Sequence, residues 1–414
     1  MNTEYFKNQT GNASELLKNG GLVAVPTETV YGLAGNGLDP EAVEKIYEVK
    51  GRPAVKPLSL MVPGPEAMEL YCDPVPEKAK KLAKRFWPGP LTIVLKAKES
   101  VPEIVRAGGA TVGLRCPDSA LTLKLLKEAG IPFAAPSANP SGKPSPLTAR
   151  EVKAYFDGKI DGIVDGGPCE LGRESTLIAM DSQPYKILRK GAVSYETLAD
   201  ELVGMMTVIG VTGPSGCGKT SALETAGSLF PEGVCLTVDC DRLYHSLLET
   251  SEKLKTDIAA EFPEVAEIKE TNGLRDIRID RKKLGKIVFS NRSKLGMLNC
   301  ITHKYIVDDV IRQMREHAMN GGQVVILDAS ELFGSAAETL CDATVAVLAT
   351  LKFRLVRIMN RDGIHVDEAV RRVRAQHDDE YYKIRADFTV MNDGTREEFQ
   401  NKIIKIVKEV VQNG

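Results

Sequence analysis

A glycine-rich segment that ends in a lysine and a threonine is the most chemically specific feature of the sequence. Within residues 208–224 (VIGVTGPSGCGKTSALE), Gly213 is followed after four residues by Gly218, Lys219 and Thr220. Glycines let backbone N–H groups curl around a β-phosphate, the lysine adds positive charge near the β- and γ-phosphates, and the threonine hydroxyl can bind Mg²⁺. An apolar strand pattern precedes the segment and a helix-forming run follows it. We therefore predict an ATP-binding loop whose contacts are Gly213, Pro214, Ser215, Gly216, Cys217, Gly218, Lys219 and Thr220.

Two carboxylates, Asp239 and Asp241, follow the next apolar strand pattern. A carboxylate at a strand end beside the phosphates could accept the proton of an attacking hydroxyl, and it could also help to hold Mg²⁺. The competing interpretation is a pair of aspartates that caps the following helix. This short segment alone does not choose between the two.

The first half of the chain carries cations and hydroxyls at the ends of apolar segments. Residues 50–56 (KGRPAVK) hold three cations, a spacing that suits an anion site, although a solvated charge cluster has the same composition. Arg115 and Arg189 each end a strand-like run, and residues 136–142 (PSANPSG) follow another. A guanidinium group matches the two oxygens of a carboxylate or phosphate. Together these segments predict a concave site for phosphate and carboxylate groups.

Mixed strand and helix patterns predict an α/β fold. Residues 40–49 begin with proline and carry apolar residues at helical spacing, whereas TIVLKA (92–97), TVGLRC (111–116) and IPFAAPSA (131–138) are typical of strands. A last helix of the first half ends near Gly204, and the apolar strand TVIGVTG then opens a new unit. We therefore predict two domains, residues 1–203 and 204–414, joined by a short linker.

Composition is that of an ordinary globular protein. The 414 residues are 43% apolar and 27% charged, with a net charge of −2. This near-neutral charge argues against a general nucleic-acid binder, and we expect no DNA contact. The eight cysteines form no CxxC pair and no zinc spacing, which indicates a reduced compartment and no zinc. Without an apolar leader or a run of roughly 18 apolar residues, a cytoplasmic protein with no membrane partner is expected.

From about residue 207 onward the chain resembles the dephospho-CoA kinases. The resemblance rests on the glycine-rich loop, Asp239 with Asp241, DRKKLGKIVF (280–289), LNCITH (298–303) and RDG (361–363). It implies a P-loop fold with a parallel sheet flanked by helices, in which the 3′-hydroxyl of dephospho-CoA attacks ATP. The implied roles are base for Asp241, charge clamp for Lys219, metal ligands for Thr220 and Asp239, and a lid residue for Arg361.

Two departures from the kinase family concern the acceptor. The family usually has a Pro-Leu-Leu-Phe-Glu stretch after its third core strand, whereas residues 329–334 read ASELFG. The proline that usually follows His303 is Lys304. Both changes lie where the acceptor is held. A nucleotide-binding domain that is inactive, or that uses a different small-molecule acceptor, therefore stays open as an alternative.

Residues 12–195 resemble the YrdC-like threonylcarbamoyl-adenylate synthases. The resemblance rests on PTETVYGL (26–33), KGRP (50–53), KPL (56–58), PGPLT (88–92), VGLR (112–115), PSANPSG (136–142), EST (174–176) and LRKG (188–191). It implies a twisted mixed sheet with helices, and a reaction of L-threonine, bicarbonate or CO₂, and MgATP that gives threonylcarbamoyl-adenylate and pyrophosphate. The product would serve the machinery that threonylcarbamoylates adenosine 37 of tRNA. An RNA-binding module is the alternative, which the near-neutral charge disfavours.

The same resemblance assigns residues to this reaction. The implied threonine contacts are Thr29, Met61, Arg115, Ala135 and Ser175. The implied ATP contacts are Arg52, Lys56, Thr111, Ser137, Asn139, Ser145 and Arg189, with Lys50, Arg52 and Lys56 as catalytic cations. A histidine often stands at position 61, and methionine keeps its apolar contact but loses a polar one. Because no general base is evident, the threonine amine is expected to add to CO₂ unaided. Mg²⁺ with ATP is the expected cofactor, with no tightly bound organic group.

Overall fold

The structure, a computed structural model, describes residues 2–271, 274–289 and 291–413. The chain forms two compact units, Met1–Leu202 and Val203–Gly414, and each contains its own large sheet. Within the described part of the chain, no helix combines the length and the apolar character that crossing a membrane requires.

The first unit is a ten-stranded mixed sheet with helices. Its strands are β1 (Glu4–Lys7), β2 (Val23–Val25), β3 (Gly32–Asn36), β4 (Ser59–Met61), β5 (Leu91–Lys96), β6 (Thr111–Arg115), β7 (Phe133–Ala134), β8 (Gly162–Asp165), β9 (Thr176–Ala179) and β10 (Lys186–Arg189). Its helices are α1 (Gly11–Lys18), α2 (Pro40–Lys50), α3 (Met68–Tyr71), α4 (Glu77–Phe86), α5 (Glu103–Arg106), α6 (Ala120–Ala129), α7 (Ala149–Phe156) and α8 (Tyr195–Val203). The α/β prediction is confirmed.

Local signals explain where the helices that support the predicted site begin and end. Helix α2 begins at Pro40, and the Asp39 carboxylate accepts a hydrogen bond from the Glu41 N–H, one of the N–H groups that the helix itself leaves unbonded. It ends at Gly51, whose φ of 58° lies in the left-handed region that glycine adopts without strain. Helix α6 likewise ends at a left-handed Gly130. The positively charged segment 50–56 therefore begins at the last residue of α2.

Strand order brings distant strand ends together in the first unit. The sheet runs β1-β8-β2-β3-β7-β4-β6-β5-β9-β10, and the parallel pair β4–β6 places Met61 opposite Arg115. Strands β5 and β9 are also parallel, with Leu91 opposite Thr176. The strand expected over 131–138 is shorter than predicted and covers only β7, since Pro136 has no N–H to extend the ladder.

The second unit contains a five-stranded sheet and a separate two-stranded one. Its strands are β11 (Thr207–Thr212), β12 (Cys235–Asp239), β13 (Ala266–Thr271), β14 (Leu274–Ile279), β15 (Val324–Asp328), β16 (Ala343–Leu348) and β17 (Phe388–Met391). Its helices are α9 (Lys219–Gly227), α10 (Cys240–Thr250), α11 (Glu252–Glu261), α12 (Arg281–Phe289), α13 (Arg292–Met319), α14 (Leu351–Asp362), α15 (Val366–Arg374), α16 (Asp379–Lys383) and α17 (Arg396–Asn413). The large sheet is all parallel in the order β12-β15-β11-β16-β17.

Parallel pairing gathers the carboxyl ends of the central strands at one edge. Asp328, which ends β15, lies opposite Val211 of β11 on one side and opposite Asp239 of β12 on the other. The glycine-rich loop leaves β11 at this same edge and leads into α9. Ligands of open α/β sheets bind at the carboxyl ends of the strands, so this edge is where a nucleotide site is expected.

Candidate functional sites

One cavity of about 260 Å³ in the first unit collects most of the predicted residues. Eight of them line it: Thr29, Arg52, Met61, Arg115, Ala135, Ser137, Ser175 and Arg189. The lining also includes three residues with polar side chains that the sequence did not single out for a role: Ser59, Thr92 and Glu174. Five predicted residues are not part of the lining: Lys50, Lys56, Thr111, Asn139 and Ser145.

Arg115 is held at the cavity wall by a buried ion pair. Its Nη2 donates to Oε1 of Glu28 and to Oγ1 of Thr29, each at 2.8 Å, while Nε donates to the Gly89 carbonyl at 3.3 Å. Arg115 and Glu28 are both only 7% exposed, and a buried ion pair is tolerated when its partners are well paired and hydrogen-bonded. The second Glu28 oxygen accepts the Asp118 N–H at 3.0 Å. Among the described residues, these bonds engage Nη2 and Nε of Arg115, and none engages Nη1.

Glu28 was missed by the sequence reasoning as a functional residue. It lies in the quoted run PTETVYGL, but its partner is 87 positions away, and nothing in the local pattern links the two. A glutamate followed by a buried strand is the only sequence signal that could have raised it as a partner for an arginine.

A chain of hydrogen bonds connects the hydroxyls and the second guanidinium group of the cavity. The Ser175 hydroxyl lies 2.8 Å from Oγ1 of Thr92 and accepts from Nη2 of Arg189 at 2.9 Å. Arg189 also donates from Nε to the Ser175 carbonyl at 3.0 Å and from Nη1 to Oε2 of Glu174 at 2.6 Å. Burial lowers the pKa of Arg189, Glu174 opposes that shift and Arg115 adds to it. The guanidinium groups therefore share one electrostatic environment.

Arg52 supplies the third guanidinium group. It donates from Nη2 to the Pro57 carbonyl at 3.0 Å and from Nε to the Lys56 carbonyl at 3.3 Å, which holds the exposed loop 51–57 in a turn. Burial lowers the pKa of Arg52, and the nearby positive charge of Arg189 lowers it further. Two guanidinium groups that repel each other in this way are stabilised by an anion between them.

Lys50 acts on the loop behind the cavity. Lys50 is 4% exposed, and its ammonium group donates to the backbone carbonyls of Ser137 and Asn139, the latter at 2.5 Å. Burial, with a contribution from Arg52, lowers the pKa of Lys50 to about 8. The Lys50 carbonyl in turn accepts the Ser141 N–H at 2.8 Å. This geometry makes Lys50 a residue that positions Ser137, and its predicted catalytic role stays a prediction.

The remaining predicted ATP contacts lie at the edge of the cavity or away from it. The Ser145 hydroxyl donates to Oε1 of Glu174 at 3.3 Å, whereas the Lys56 side chain is exposed to solvent. Asn139 donates to the Pro140 and Lys143 carbonyls and so shapes the loop itself. Thr111 begins β6, four residues before Arg115, which at about 3.3 Å per residue separates them by roughly 13 Å.

Met61 and Ala135 give the cavity an apolar wall. A Cβ atom at Gly32 would stand 3.2 Å from Cε of Met61, a tight contact, and 3.7 Å from Cβ of Ala135, an ordinary one. Glycine at this position therefore keeps the space beside the two apolar side chains open. The wall suits a small apolar group such as a methyl.

In the second unit the glycine-rich loop has the conformation that phosphate binding needs. Gly213, Gly216 and Gly218 have φ angles of 140°, 79° and 106°, a region that other residues rarely adopt. A Cβ atom at Gly213 would stand 2.1 Å from the Val347 carbonyl oxygen. The Lys219 ammonium donates to the Gly213 carbonyl at 3.0 Å, so the lysine lies folded across the loop.

The outer face of this loop is braced by side chains. The carbonyls of residues 215–217 accept hydrogen bonds from Arg354 at 3.1 Å, from Arg357 at 3.3 and 3.2 Å, and from Asn392 at 2.8 Å. The Ser215 N–H also donates to Oε1 of Gln376 at 3.0 Å, so both carbonyls and an N–H group hold the loop in one conformation.

Asp239 and Asp241 have different environments. Asp239 caps α10 by accepting the Arg242 N–H at 2.9 Å, and it also lines a cavity of about 310 Å³ together with Thr220. Asp241 lies exposed in the first turn of α10 and accepts from the Ser330 hydroxyl at 2.9 Å. The capping interpretation therefore holds for Asp239 without removing it from the site.

Asp328 is a third carboxylate at this edge that the sequence reasoning did not assign. It is 5% exposed, and its Oδ1 is buried without a hydrogen-bond partner among the described residues. Burial raises the pKa of the Asp328 carboxyl to about 7, with Lys219 opposing the shift. An apolar strand that ends in aspartate (VVILD, 324–328) was the available signal.

Arg361 is engaged within its own segment. It donates to both oxygens of Asp362, at 2.7 and 3.0 Å, and reaches Oγ of Ser215 at 3.4 Å. Asp362 also accepts from Arg372 at 2.7 Å, and its hydrogen bond raises the pKa of Arg361. Arg361 therefore lies beside the phosphate loop, and its role as a lid residue stays a prediction.

Both parts of the chain are similar to known protein families. Residues 15–191 match the Sua5/YciO/YrdC family model, described as "Telomere recombination", and residues 207–398 match the dephospho-CoA kinase family model. The threonylcarbamoyl-AMP synthase of Pyrococcus abyssi is 46% identical over 196 residues, which cover 47% of this chain and 57% of that protein. The Bacillus subtilis threonylcarbamoyl-AMP synthase is 48% identical over 191 residues, covering 46% of this chain and 55% of that protein.

A third relative is shorter. The putative threonylcarbamoyl-AMP synthase of Methanocaldococcus jannaschii is 35% identical over 199 residues, which cover 48% of this chain and 93% of that protein. The chain therefore spans about half the length of the first two relatives and nearly all of the third.

Proposed function

The chain belongs to the Sua5/YciO/YrdC family through its first unit, and from this premise we propose that this unit makes threonylcarbamoyl-AMP from L-threonine, ATP and bicarbonate or CO₂. The observation that carries the proposal is the convergence of Arg52, Arg115 and Arg189 on one cavity. Holding three guanidinium groups close together is energetically unfavourable, because they repel one another, unless anions bind between them. A carboxylate and a triphosphate are anions of the required geometry.

The threonine end of the cavity follows from the contacts of Arg115. Arg115 lines the cavity, and its Nη1 would bind the substrate carboxylate, while Glu28 and Thr29 hold Nη2 of the guanidinium group. The Ser175 hydroxyl would contact the substrate hydroxyl or amine. Met61 and Ala135 would pack against the threonine methyl group, and this contact needs no polar side chain at position 61.

The transfer step depends on correct positioning of the substrates and on stabilisation of negative charge more than on proton transfer by a side chain. The threonine amine adds to CO₂ to give a carbamate and a released proton. A carbamate oxygen then attacks the α-phosphorus, the bond between the α-phosphorus and the bridging oxygen breaks, and pyrophosphate leaves. Arg52 and Arg189 would stabilise the added negative charge of the transition state. When bound with ATP, Mg²⁺ supplies further neutralisation of pyrophosphate.

The test is pyrophosphate release from threonine, bicarbonate and ATP by the full chain. An Arg52→Ala variant should lose most of this release while it keeps threonine binding, because Arg52 is proposed on the ATP side. No threonine-dependent pyrophosphate from the unaltered chain would contradict the proposal. In that case tight binding of RNA without turnover would favour an RNA-binding module.

For the second unit we propose transfer of the ATP γ-phosphate to the 3′-hydroxyl of dephospho-CoA. The observation that carries this proposal is the braced phosphate loop together with a carboxylate, Asp241, in the first turn of α10, which follows β12 at the same edge of the sheet. Asp241 would accept the hydroxyl proton as the oxygen attacks the γ-phosphorus and ADP leaves, with Lys219 neutralising charge. Thr220 and Asp239 line one cavity, and a hydroxyl and a carboxylate oxygen are ligands that suit Mg²⁺.

A different acceptor is the second candidate, and the segment that departs from the kinase family favours it. Ser330 replaces the expected proline and donates directly to Asp241, and the neighbouring Glu331 is exposed. Phosphate transfer to dephospho-CoA, uridine and AMP should therefore be compared in one assay. Lys219→Ala is the control that should remove transfer to any of them. Transfer to uridine or AMP but not to dephospho-CoA would assign the second candidate.

The proposed products define the proposed partners. Threonylcarbamoyl-AMP is a mixed anhydride, so it must be consumed by an acyl-transfer reaction, which we propose to be the modification of adenosine 37 in tRNA. We place both reactions in the cytoplasm, where ATP, threonine and the CoA precursor are available together.

A further inference from the structure

The synthase cavity contains one carboxylate among its cations. Of the described residues that line it, only Glu174 is acidic, and it faces the same space as Arg52, Arg115 and Arg189. A carboxylate in a site built for a triphosphate repels its own ligand unless a cation lies between them. Glu174 forms an ion pair with Arg189 at 2.6 Å, but the position of its other oxygen, Oε1, requires a further explanation.

Orientation of Arg189 does not provide that explanation. Arg189 already donates to the carbonyl and to the hydroxyl of Ser175, at 3.0 and 2.9 Å, and these two bonds fix the plane of the guanidinium group. Glu28 shows what an orienting carboxylate looks like in this unit: it is 7% exposed and both of its oxygens are engaged internally. Glu174, in contrast, keeps 38% of its side chain exposed at the cavity.

The carboxylate of Glu174 lies next to a second oxygen-containing group, the Ser145 hydroxyl. Oε2 accepts from Arg189 at 2.6 Å, and Oε1 accepts from the Ser145 hydroxyl at 3.3 Å, a long bond that a competing cation could replace. Mg²⁺ in nucleotide enzymes is held by one or two protein oxygens together with phosphate oxygens and water. A carboxylate and a hydroxyl side by side at the edge of a triphosphate site provide that donor set.

We propose that Glu174, assisted by the Ser145 hydroxyl, is the protein ligand for the divalent cation that accompanies ATP in the synthase cavity. This inference rests on the proposed adenylation function and names the group that couples metal binding to it. The cation would occupy the position between Glu174 and the triphosphate, so the carboxylate changes from a repulsive to an attractive group when the metal binds.

The test measures metal binding directly. Full-length chain carrying Lys219→Ala, which weakens nucleotide binding in the second unit, is mixed with threonine and α,β-methylene-ATP, an analogue that cannot release pyrophosphate. Mn²⁺ is titrated in and the free ion is followed by electron paramagnetic resonance. Glu174→Gln should weaken Mn²⁺ binding by at least about tenfold, the scale on which loss of one supporting group weakens a metal site. Glu170→Gln, an exposed carboxylate outside the lining, is the matched control and should leave Mn²⁺ binding unchanged.

A second measurement separates a ligand from an orienting residue. In EDTA, Glu174→Gln should bind the analogue as tightly as the control or more tightly, because a negative charge has been removed from the cavity. A loss of affinity of the same size with and without metal would show that Glu174 only orients Arg189 and would overturn the inference. Unchanged Mn²⁺ affinity in Glu174→Gln would also overturn it. Failure of the Lys219→Ala chain to bind the analogue with Mn²⁺ would overturn the adenylation proposal together with the inference.

Discussion

Replacing Asp328 by asparagine should make the second unit more stable at alkaline pH and leave it unchanged at acidic pH. Asp328 is 5% exposed, one of its oxygens has no partner among the described residues, and burial raises its pKa to about 7. In the unfolded chain an aspartate titrates near about 3.9. Between these two values the folded state holds a proton that the unfolded state has lost, so the free energy of unfolding falls as pH rises from about 4 through 7.

The size of the effect follows from the two pKa values. A difference of about three pKa units at about 1.4 kcal/mol each gives a cost of about 4 kcal/mol at pH 8, fully present only above the folded-state pKa. Asparagine has the same shape and no charge to desolvate. Asp328→Asn should therefore raise the free energy of unfolding at pH 8 by up to about 4 kcal/mol and change it little at pH 4.

The assay is urea unfolding of the full chain without nucleotide, followed by far-ultraviolet circular dichroism at pH 4.5, 6 and 8. The only tryptophan of the chain, Trp87, lies in the first unit, so its fluorescence reports that unit separately and should not change. Glu232→Gln, at an exposed carboxylate of the second unit before the amino end of β12, is the matched control and should show no pH-dependent gain. An Asp328→Asn gain that is equal at pH 4.5 and 8, or that is absent at pH 8, would refute the reasoning.

Three further predictions concern the two sites. Glu28→Gln should raise the threonine KM at least about tenfold while ATP binding is kept, since breaking a buried ion pair costs about 3–5 kcal/mol; steady-state kinetics in both substrates check this, and equal losses for both would contradict it. Lys50→Met should lower kcat and expose the 136–142 loop to hydrogen exchange, because two buried carbonyls lose their donor; unchanged exchange there would argue against a positioning role. Gln376→Ala should weaken ATP binding by the second unit several-fold, because its Oε1 accepts from both the Ser215 N–H and Arg354 at 3.0 Å; calorimetry with MgATP measures it, and full affinity would show that the brace is dispensable.

The phosphate loop of the second unit could be predicted because its chemistry is contiguous. Its glycines, lysine and threonine lie within eight residues, and the left-handed angles at Gly213, Gly216 and Gly218 follow from residue type. Helix ends are similar, since Asp39 with Pro40 and the left-handed Gly51 define the limits of α2 locally. Short-range steric and hydrogen-bonding rules operate within a few residues, so the sequence displays them directly.

The contacts around the cavity of the first unit could not be predicted from local sequence. Arg115 meets Glu28 across 87 positions and Ser175 meets Thr92 across 83, because parallel and antiparallel pairing in the ten-stranded sheet brings those strand ends together. The resemblance supplied residue types for the site, but it could not show that Lys50 turns to backbone carbonyls or that Thr111 lies at the far end of β6.

The sequence by itself therefore determined the α/β class, the phosphate loop and the set of cations and hydroxyls available for anion binding. Only the tertiary structure decided which of them share a cavity, which charges are buried, and where Glu174 and Asp328 stand. The physical reason is that residue type and local spacing determine the backbone conformation and the functional groups that are available. Burial and the distances between charges depend instead on strand order and packing. These long-range features set the pKa values of Lys50 and Asp328 and select the partner of each arginine.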